Sequence, residues 1–156
     1  YVDERRDPEK STRAASEFLK RAYKKYGSWT LAAAAFNRGS KGIENALNGQ
    51  HTNSYYQLYL NEETARYVFR ILALKLIIEA PEKYGYSLSP SDYYQPVEYK
   101  TILIDKSIQD LPQFAKSIGV TYQTLKEHNP WIQNTDYKLV LKEGKKYKIR
   151  LPAKKE

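Results

Sequence analysis

The stretch WTLAAAAFNRG, Trp29 to Gly39, decides how the first half of this chain folds. Ser28 offers a side-chain oxygen to cap a helix start, and Gly39 suits a helix end. Between them alanine, the best helix former, fills four consecutive positions, and its methyl groups let a neighbouring helix approach closely. A polar Asn37, Arg38, Gly39 triplet then follows directly on that packable surface. Two readings are open at this point: Phe36 is core and Asn37 caps the helix end, or the two face a ligand.

On the N-terminal side, Asp7 is a cap with Pro8 at the first helical position, and the helix closes at Gly27. Ala15, Phe18, Leu19, Ala22, Tyr23 and Tyr26 recur at three- and four-residue intervals and give it one apolar face. On the C-terminal side, Ser40 starts a short helix through Leu47. Asn61, Glu62 and Glu63 then open a long one. That helix is apolar on nearly all sides from Tyr67 to Ile78, which predicts the buried centre of a helical domain, and Pro81 ends it.

The pattern changes after GYSLSPSDYYQPVE, Gly85 to Glu98, which has neither a helical nor a strand period. Tyr99 to Ile104 reads as a strand, Ser107 to Gly119 as a helix, Thr121 to Asn129 as a second helix stopped by Pro130, and KKYKIRLP, 145–152, as a strand. The fold class is therefore α+β. An all-α part spans residues 1–86, a linker 87–98, a small strand-helix-helix-strand module 99–152, and a basic tail 153–156.

Composition narrows the function classes. The formal charge is +8 over 156 residues, with 14 basic against 12 acidic residues in 1–98 and 12 against 6 in 99–156. Two units with different surfaces follow, and the basic one suits an anionic partner such as nucleic acid, an anionic membrane or an acidic cell-wall polymer. There is no cysteine, so neither a disulfide framework nor thiolate chemistry is available. His51 and His128 are isolated from carboxylates at ligand spacing, so no metal site is expected. No Gly-rich phosphate loop, nucleophilic serine motif or nucleic-acid motif occurs. The chain starts at Tyr1 and lacks methionine, which leads us to expect a processed product or an excised piece.

Both parts resemble known modules. DERRDPEKSTRAASEFL, YGSWTLAAAAFNRG, LNEETARYVFRILAL and PEKYGY resemble, in order and spacing, the C-terminal part of the catalytic domain of lytic murein transglycosylases of the membrane-bound D type, in glycoside hydrolase family twenty-three. LPQFAKSIGVTYQTLKEHNPWI resembles a LysM module, which such enzymes often carry after the catalytic domain. The first resemblance implies an incomplete lysozyme-like helical part, in which AAFN corresponds to an alanine-tyrosine-asparagine motif lining the glycan groove. Phe36 would present an apolar ring to a sugar, Asn37 an amide to an N-acetyl group, with Arg38 beside them and Tyr67 facing the same groove. Phe36 stands where the family has tyrosine, so any role of a hydroxyl there is lost. Tyr67 has a second reading, a half-buried tyrosine bonded to a backbone carbonyl.

The LysM resemblance implies glycan contacts from the loop after the first strand, Asp105, Lys106, Ser107 and Ile108, and from the loop after the second helix, Asn129, Pro130, Trp131 and Ile132. Asp105-Lys106 replaces the common glycine-aspartate pair. Trp131 is either a stacking surface for sugar or part of the module's core.

Such enzymes use one glutamate as acid and then base. It cleaves the bond between N-acetylmuramic acid and N-acetylglucosamine and yields a 1,6-anhydro product, so the substrate's own hydroxyl replaces a second carboxylate. The family's glutamate-serine motif precedes the DERRDP segment and is not in this sequence, so no catalytic residue is assigned among Glu17, Glu44, Glu62, Glu63 and Glu79. The resemblance implies a fragment of a peptidoglycan lytic transglycosylase of the bacterial cell envelope, acting on glycan strands without cofactor. Any membrane anchorage would come through a missing N-terminal segment, and a homodimer could form through an exposed apolar face. The alternative is a non-catalytic peptidoglycan-binding or scaffold protein. A nucleic-acid binder is the third reading, disfavoured because the aromatics are mostly tyrosines scattered through helices.

Overall fold

The computed structural model describes residues 2–133 and 136–153, and the fold over them is α+β. Six α-helices and one two-stranded sheet make two compact units, Arg13–Tyr94 on one hand and Tyr1–Thr12 with Gln95–Glu156 on the other. The expected basic tail lies, at 154–156, outside the described residues.

The Arg13–Tyr94 unit holds most of α1 (Pro8–Tyr26), then α2 (Trp29–Arg38), α3 (Ser40–Gly49) and α4 (Glu62–Glu79). Gly27 and Gly39 take φ of +66° and +85°, backbone that residues with a Cβ rarely adopt, and so end α1 and α2 sharply. Ser28 caps α2 by accepting from the Leu31 N–H at 3.4 Å. Ala32, Ala34 and Ala35 are fully buried, and α2 packs against both α3 and α4. Leu31, Ile43, Leu60 and Val68 complete this core with Tyr55, whose hydroxyl donates to the carbonyls of Thr64 at 3.1 Å and Ala65 at 2.8 Å. Burial pushes the Tyr55 phenol above its ordinary pKa.

The long helix differs from its sequence reading. Only Thr64 and Val68 of α4 are buried, whereas Phe69, Ile71, Leu72, Leu74, Leu76 and Ile78 are exposed, Ile78 at 75%. The core contacts of α4 come from its first turns, and most of the apolar side chains in its second half are exposed.

In the other unit, β1 (Tyr99–Ile104) pairs antiparallel with β2 (Tyr147–Pro152), from Tyr99 opposite Pro152 to Ile104 opposite Tyr147. Helices α5 (Leu111–Ser117) and α6 (Tyr122–His128) lie between them in sequence and supply Leu111, Ala115 and Leu125 to the core with Ile149, Leu151, Trp131, Ile132 and Leu139. A two-stranded sheet cannot stand alone, and these helices give its apolar face a partner. Helix α5 starts at Leu111 and not at Ser107, because Asp110 caps it by accepting from Gln113 N–H at 2.8 Å. The backbone of Ile108 is instead paired with Leu139.

Asn129 fixes α6 to the sheet. Its amide donates to the carbonyls of Leu125 and Arg150 and accepts from the Arg150 N–H, each at 2.8 Å, while the side chain is wholly buried. A two-stranded sheet leaves β2 with one unpaired edge, and this amide satisfies part of it.

The sequence reading puts residues 1–12 with the helical part, but the structure groups them with the module. Val2 forms an antiparallel bridge with Ile132, and Asp3 N–H donates to the Trp131 carbonyl at 2.9 Å. Asp7, nearly buried, caps α1 through the N–H groups of Glu9 at 3.0 Å and Lys10 at 3.1 Å, and pairs with Arg150 at 3.1 Å. Arg150 also reaches Glu9 at 3.1 Å and sits 5.2 Å from the Tyr99 ring centre.

Burial raises the Asp7 carboxyl, but the Lys10 N–H, the Arg150 guanidinium and the Glu9 N–H outweigh it and hold the pKa below the usual aspartate value. A depressed native pKa stabilises the fold fully above the unfolded value of about 3.9 and loses that contribution as pH falls through the native value. We predict that Asp7→Asn, which keeps an N-cap but not the charge, costs about 1–3 kcal/mol at pH 7. That deficit shrinks as pH falls below about 4. Denaturant melts at pH 7 and pH 3 test this, and a deficit independent of pH would contradict it.

Candidate functional site

The end of α2 meets the start of α4. Asn37 is the joint: its side-chain carbonyl accepts from the Thr64 hydroxyl at 2.9 Å, and its NH₂ lies 3.4 Å from the Glu63 carboxylate. Thr64 is buried on α4, and Tyr67 follows it one turn later. Tyr67 is half-buried, and its hydroxyl has no partner among the described residues.

Phe36, the residue before Asn37, is 44% exposed, and its ring meets Phe18 of α1 edge-to-face at 5.5 Å. It is therefore neither core nor free. One edge is held while part of the ring faces solvent. Arg38 is exposed and directed across the junction, donating to the side-chain oxygen of Asn61 just before α4. Its aliphatic stem lies where a Cβ on Gly42 would come, with Cγ 2.9 Å from that point. Asn37 and Arg38 thus both reach the start of α4, while Phe36 meets Phe18 of α1. Glu63 and Thr64 are the partners of Asn37 there, and the sequence reading treats those two only as part of a helix start. The legible signal was the i, i+3 and i, i+4 spacing of Thr64 and Glu63 to Tyr67.

Chemically these residues offer a partly exposed ring, an amide held at both ends, a free phenol and a carboxylate. Such a mix suits a neutral ligand with hydroxyl and amide groups, with an apolar face for the ring. Glu44 is ion-paired to Lys25, which with its hydrogen bond holds the carboxyl below its ordinary pKa, Glu62 pairs with Arg66 at 2.8 Å and Glu79 with Lys75 at 3.5 Å. Among the described residues no group of three or more His, Asp or Glu comes together as metal ligands.

The module's two loops fare differently. Asp105, Lys106 and Ser107 are exposed, and the Ser107 hydroxyl accepts from Leu141 N–H at 3.0 Å. Ile108 has its N–H and carbonyl bonded to Leu139 at 2.9 and 2.8 Å. On the second loop, Asn129 and Ile132 are wholly buried and Trp131 is 3% exposed, stacked on Tyr147 with centroids 5.6 Å apart. Pro130 is half-buried. Of the two readings of Trp131 the burial favours the core one: its ring lies in the module's core, where the small sheet needs a large apolar group to cover it. The backbone expected to bond N-acetyl groups is also engaged, with Ile132 N–H on Asn129 at 3.0 Å, its carbonyl on Lys126, and the Trp131 carbonyl on Asp3. Asn129 bonds β2 and α6.

Comparison with known proteins agrees with this architecture. Residues 1–59 match the family described as Transglycosylase SLT domain, and residues 100–155 match the family described as Soluble lytic transglycosylase C-terminal LysM-like domain. The chain is 29% identical to proteins named Membrane-bound lytic murein transglycosylase D from Escherichia coli strain K12 and from Escherichia coli O6:H1 strain CFT073. Each alignment covers 85% of this chain and 30% of the relative. The resemblance read from the sequence holds for both parts, and the chain spans less than a third of the length of these relatives.

Proposed function

We propose that this chain is the glycan-holding portion of a peptidoglycan lytic transglycosylase, acting in the bacterial cell envelope. The observation that supports the reading is the bonding of Asn37 and Arg38, at the end of α2, to the start of α4, in a chain whose residues 1–59 match a transglycosylase domain. In this reading the Phe36 ring lies against a sugar face, and the Tyr67 hydroxyl and the Asn37 NH₂ bond the N-acetyl and hydroxyl groups. The hydrogen bond from Thr64 keeps the Asn37 amide from rotating, so less entropy is lost when sugar binds. The bond cleaved in the complete enzyme is the β-1,4 link between N-acetylmuramic acid and N-acetylglucosamine, giving a 1,6-anhydro end. The module contributes through the exposed Asp105, Lys106 and Ser107 loop and its basic surface, which favours the acidic wall polymer.

The second reading, a peptidoglycan-binding protein without chemistry of its own, is favoured by the ion pairs that occupy Glu44, Glu62 and Glu79. A general acid must hold its proton near neutral pH, and an adjacent cation works against that. The exposed apolar half of α4, Phe69, Leu72, Leu74, Leu76 and Ile78, is proposed to meet a second copy of this chain. No helix among the described residues is long and apolar enough to cross a membrane.

Two predictions follow from this reading. The purified chain is expected to sediment with insoluble peptidoglycan, with Asn37→Ala and Tyr67→Ala retaining less, and to release no 1,6-anhydro muropeptides detectable by mass spectrometry. Release at an enzyme's rate would contradict the assignment of no catalytic residue, and equal sedimentation of both variants would contradict the junction. For the apolar face, sedimentation equilibrium should show a concentration-dependent dimer that Leu76→Lys shifts to monomer. A wild type that stays monomeric to high micromolar concentration would remove that partner.

A further inference from the structure

Two tryptophans occur in this chain, and the structure uses them in opposite ways. Trp131 is core. Trp29 is 56% exposed, at the first position of α2, and is stacked on Tyr23 of α1, itself 40% exposed, with ring centroids 4.3 Å apart and planes within 21°. Neither the indole N–H of Trp29 nor the hydroxyl of Tyr23 has a partner among the described residues. An exposed stack of two large rings contributes little to a core. It does hold both rings in a fixed orientation, with two free polar groups at the rim.

The stack is continuous with the junction described above. Trp29, Ala33 and Phe36 fall at i, i+4 and i+7 on α2, one stripe on one face, with Trp29 about 10 Å along the axis from Phe36. Phe18 of α1 meets Phe36 and Tyr23 of α1 meets Trp29, so the two helices run antiparallel along a seam with an aromatic pair at each end. The stretch between is lined by the small side chain of Ala33, which is partly buried.

We propose that the Tyr23–Trp29 stack is a further sugar-binding platform, taking one pyranose ring of a β-1,4-linked N-acetylhexosamine chain that continues along α2 from the Phe36–Asn37 end. A pyranose ring presents C–H groups on its face and hydroxyls at its rim, which matches the outer face of the stacked Trp29 ring with the indole N–H at its edge, while Tyr23 backs that ring from its other side. The inference rests on the glycan-holding reading of the junction and adds a subsite to it. A glycan long enough to cover both ends of the seam engages both aromatic pairs, and a short one engages a single end.

Intrinsic fluorescence separates the two tryptophans, because Trp131 is shielded and Trp29 is not. On titrating the full chain with the N-acetylglucosamine pentasaccharide, the exposed emission should shift to the blue and become less quenched by acrylamide. Trp29→Ala should bind the pentasaccharide about threefold to tenfold more weakly by calorimetry. Trp29→Phe, which keeps a ring, should stay within about twofold. Circular dichroism checks that both variants fold, and the wild-type fluorescence change does not depend on either.

Unchanged affinity of Trp29→Ala, with weakened binding by Asn37→Ser, would overturn the platform and leave the junction standing. Absence of pentasaccharide binding by the wild type would overturn both. Shielding of Trp29 that grows with protein concentration and not with sugar would assign the stack to contact between copies, and would also overturn the proposal.

Discussion

The close approach of α2 to its neighbours is the constraint on which the helical unit depends. Ala32, Ala34 and Ala35 carry only methyl groups into the contact, so α2 can sit against α3 and α4 without holding them apart. That proximity lets a side chain as short as Asn37 reach the Thr64 hydroxyl, and it seats Tyr55 under the first turn of α4. A larger residue at Ala34 or Ala35 would have no empty volume to enter, and overpacking of this kind typically costs about 1–3 kcal/mol. The displacement would move Asn37 from Thr64. The alanine run and the polar triplet after it are thus one device: the first sets a distance and the second uses it.

The smaller unit meets the opposite problem. A two-stranded sheet of six residues per strand buries little on its own, and large apolar side chains from the helices and loops around it complete its core. Trp131 and Ile132 are taken for that purpose, and Asn129 is committed to the open edge of β2 with two hydrogen bonds and to α6 with a third. Residues 2–7 then add a bridge at Ile132 and an ion pair at Arg150. Stability of this module and glycan contact at its second loop therefore compete for the same groups, and the geometry favours stability.

Periodic segments and caps were readable from the sequence. Asp7, Ser28 and Thr121 as N-caps, Gly27 and Gly39 as stops, and the strand at Tyr99–Ile104 all follow from local chemistry that a few neighbouring residues determine. The proposed placing of Phe36, Asn37 and Tyr67 about one groove comes from the resemblance alone, because a motif carries long-range geometry that spacing does not. The fate of Trp131 was not legible, since an aromatic ring in a loop serves equally as core or as platform until the volume beneath it is known. For α4, an all-round apolar pattern states that the surface seeks cover, not that described residues supply it. The pairing of Asp7 with Arg150 joins positions far apart in sequence, and no local signal announces it.

The central claim is that glycan is held at the α2–α4 junction and not at the second loop of the module. Backbone amide shifts of the ¹⁵N-labelled chain, followed by NMR on titration with the N-acetylglucosamine pentasaccharide, test it directly. The account predicts perturbation of Phe36, Asn37 and Arg38 together with Glu63, Thr64 and Tyr67, while Asn129, Trp131 and Ile132 stay unchanged. Perturbation confined to the module, with Asn129 to Ile132 moving and the junction silent, would contradict it.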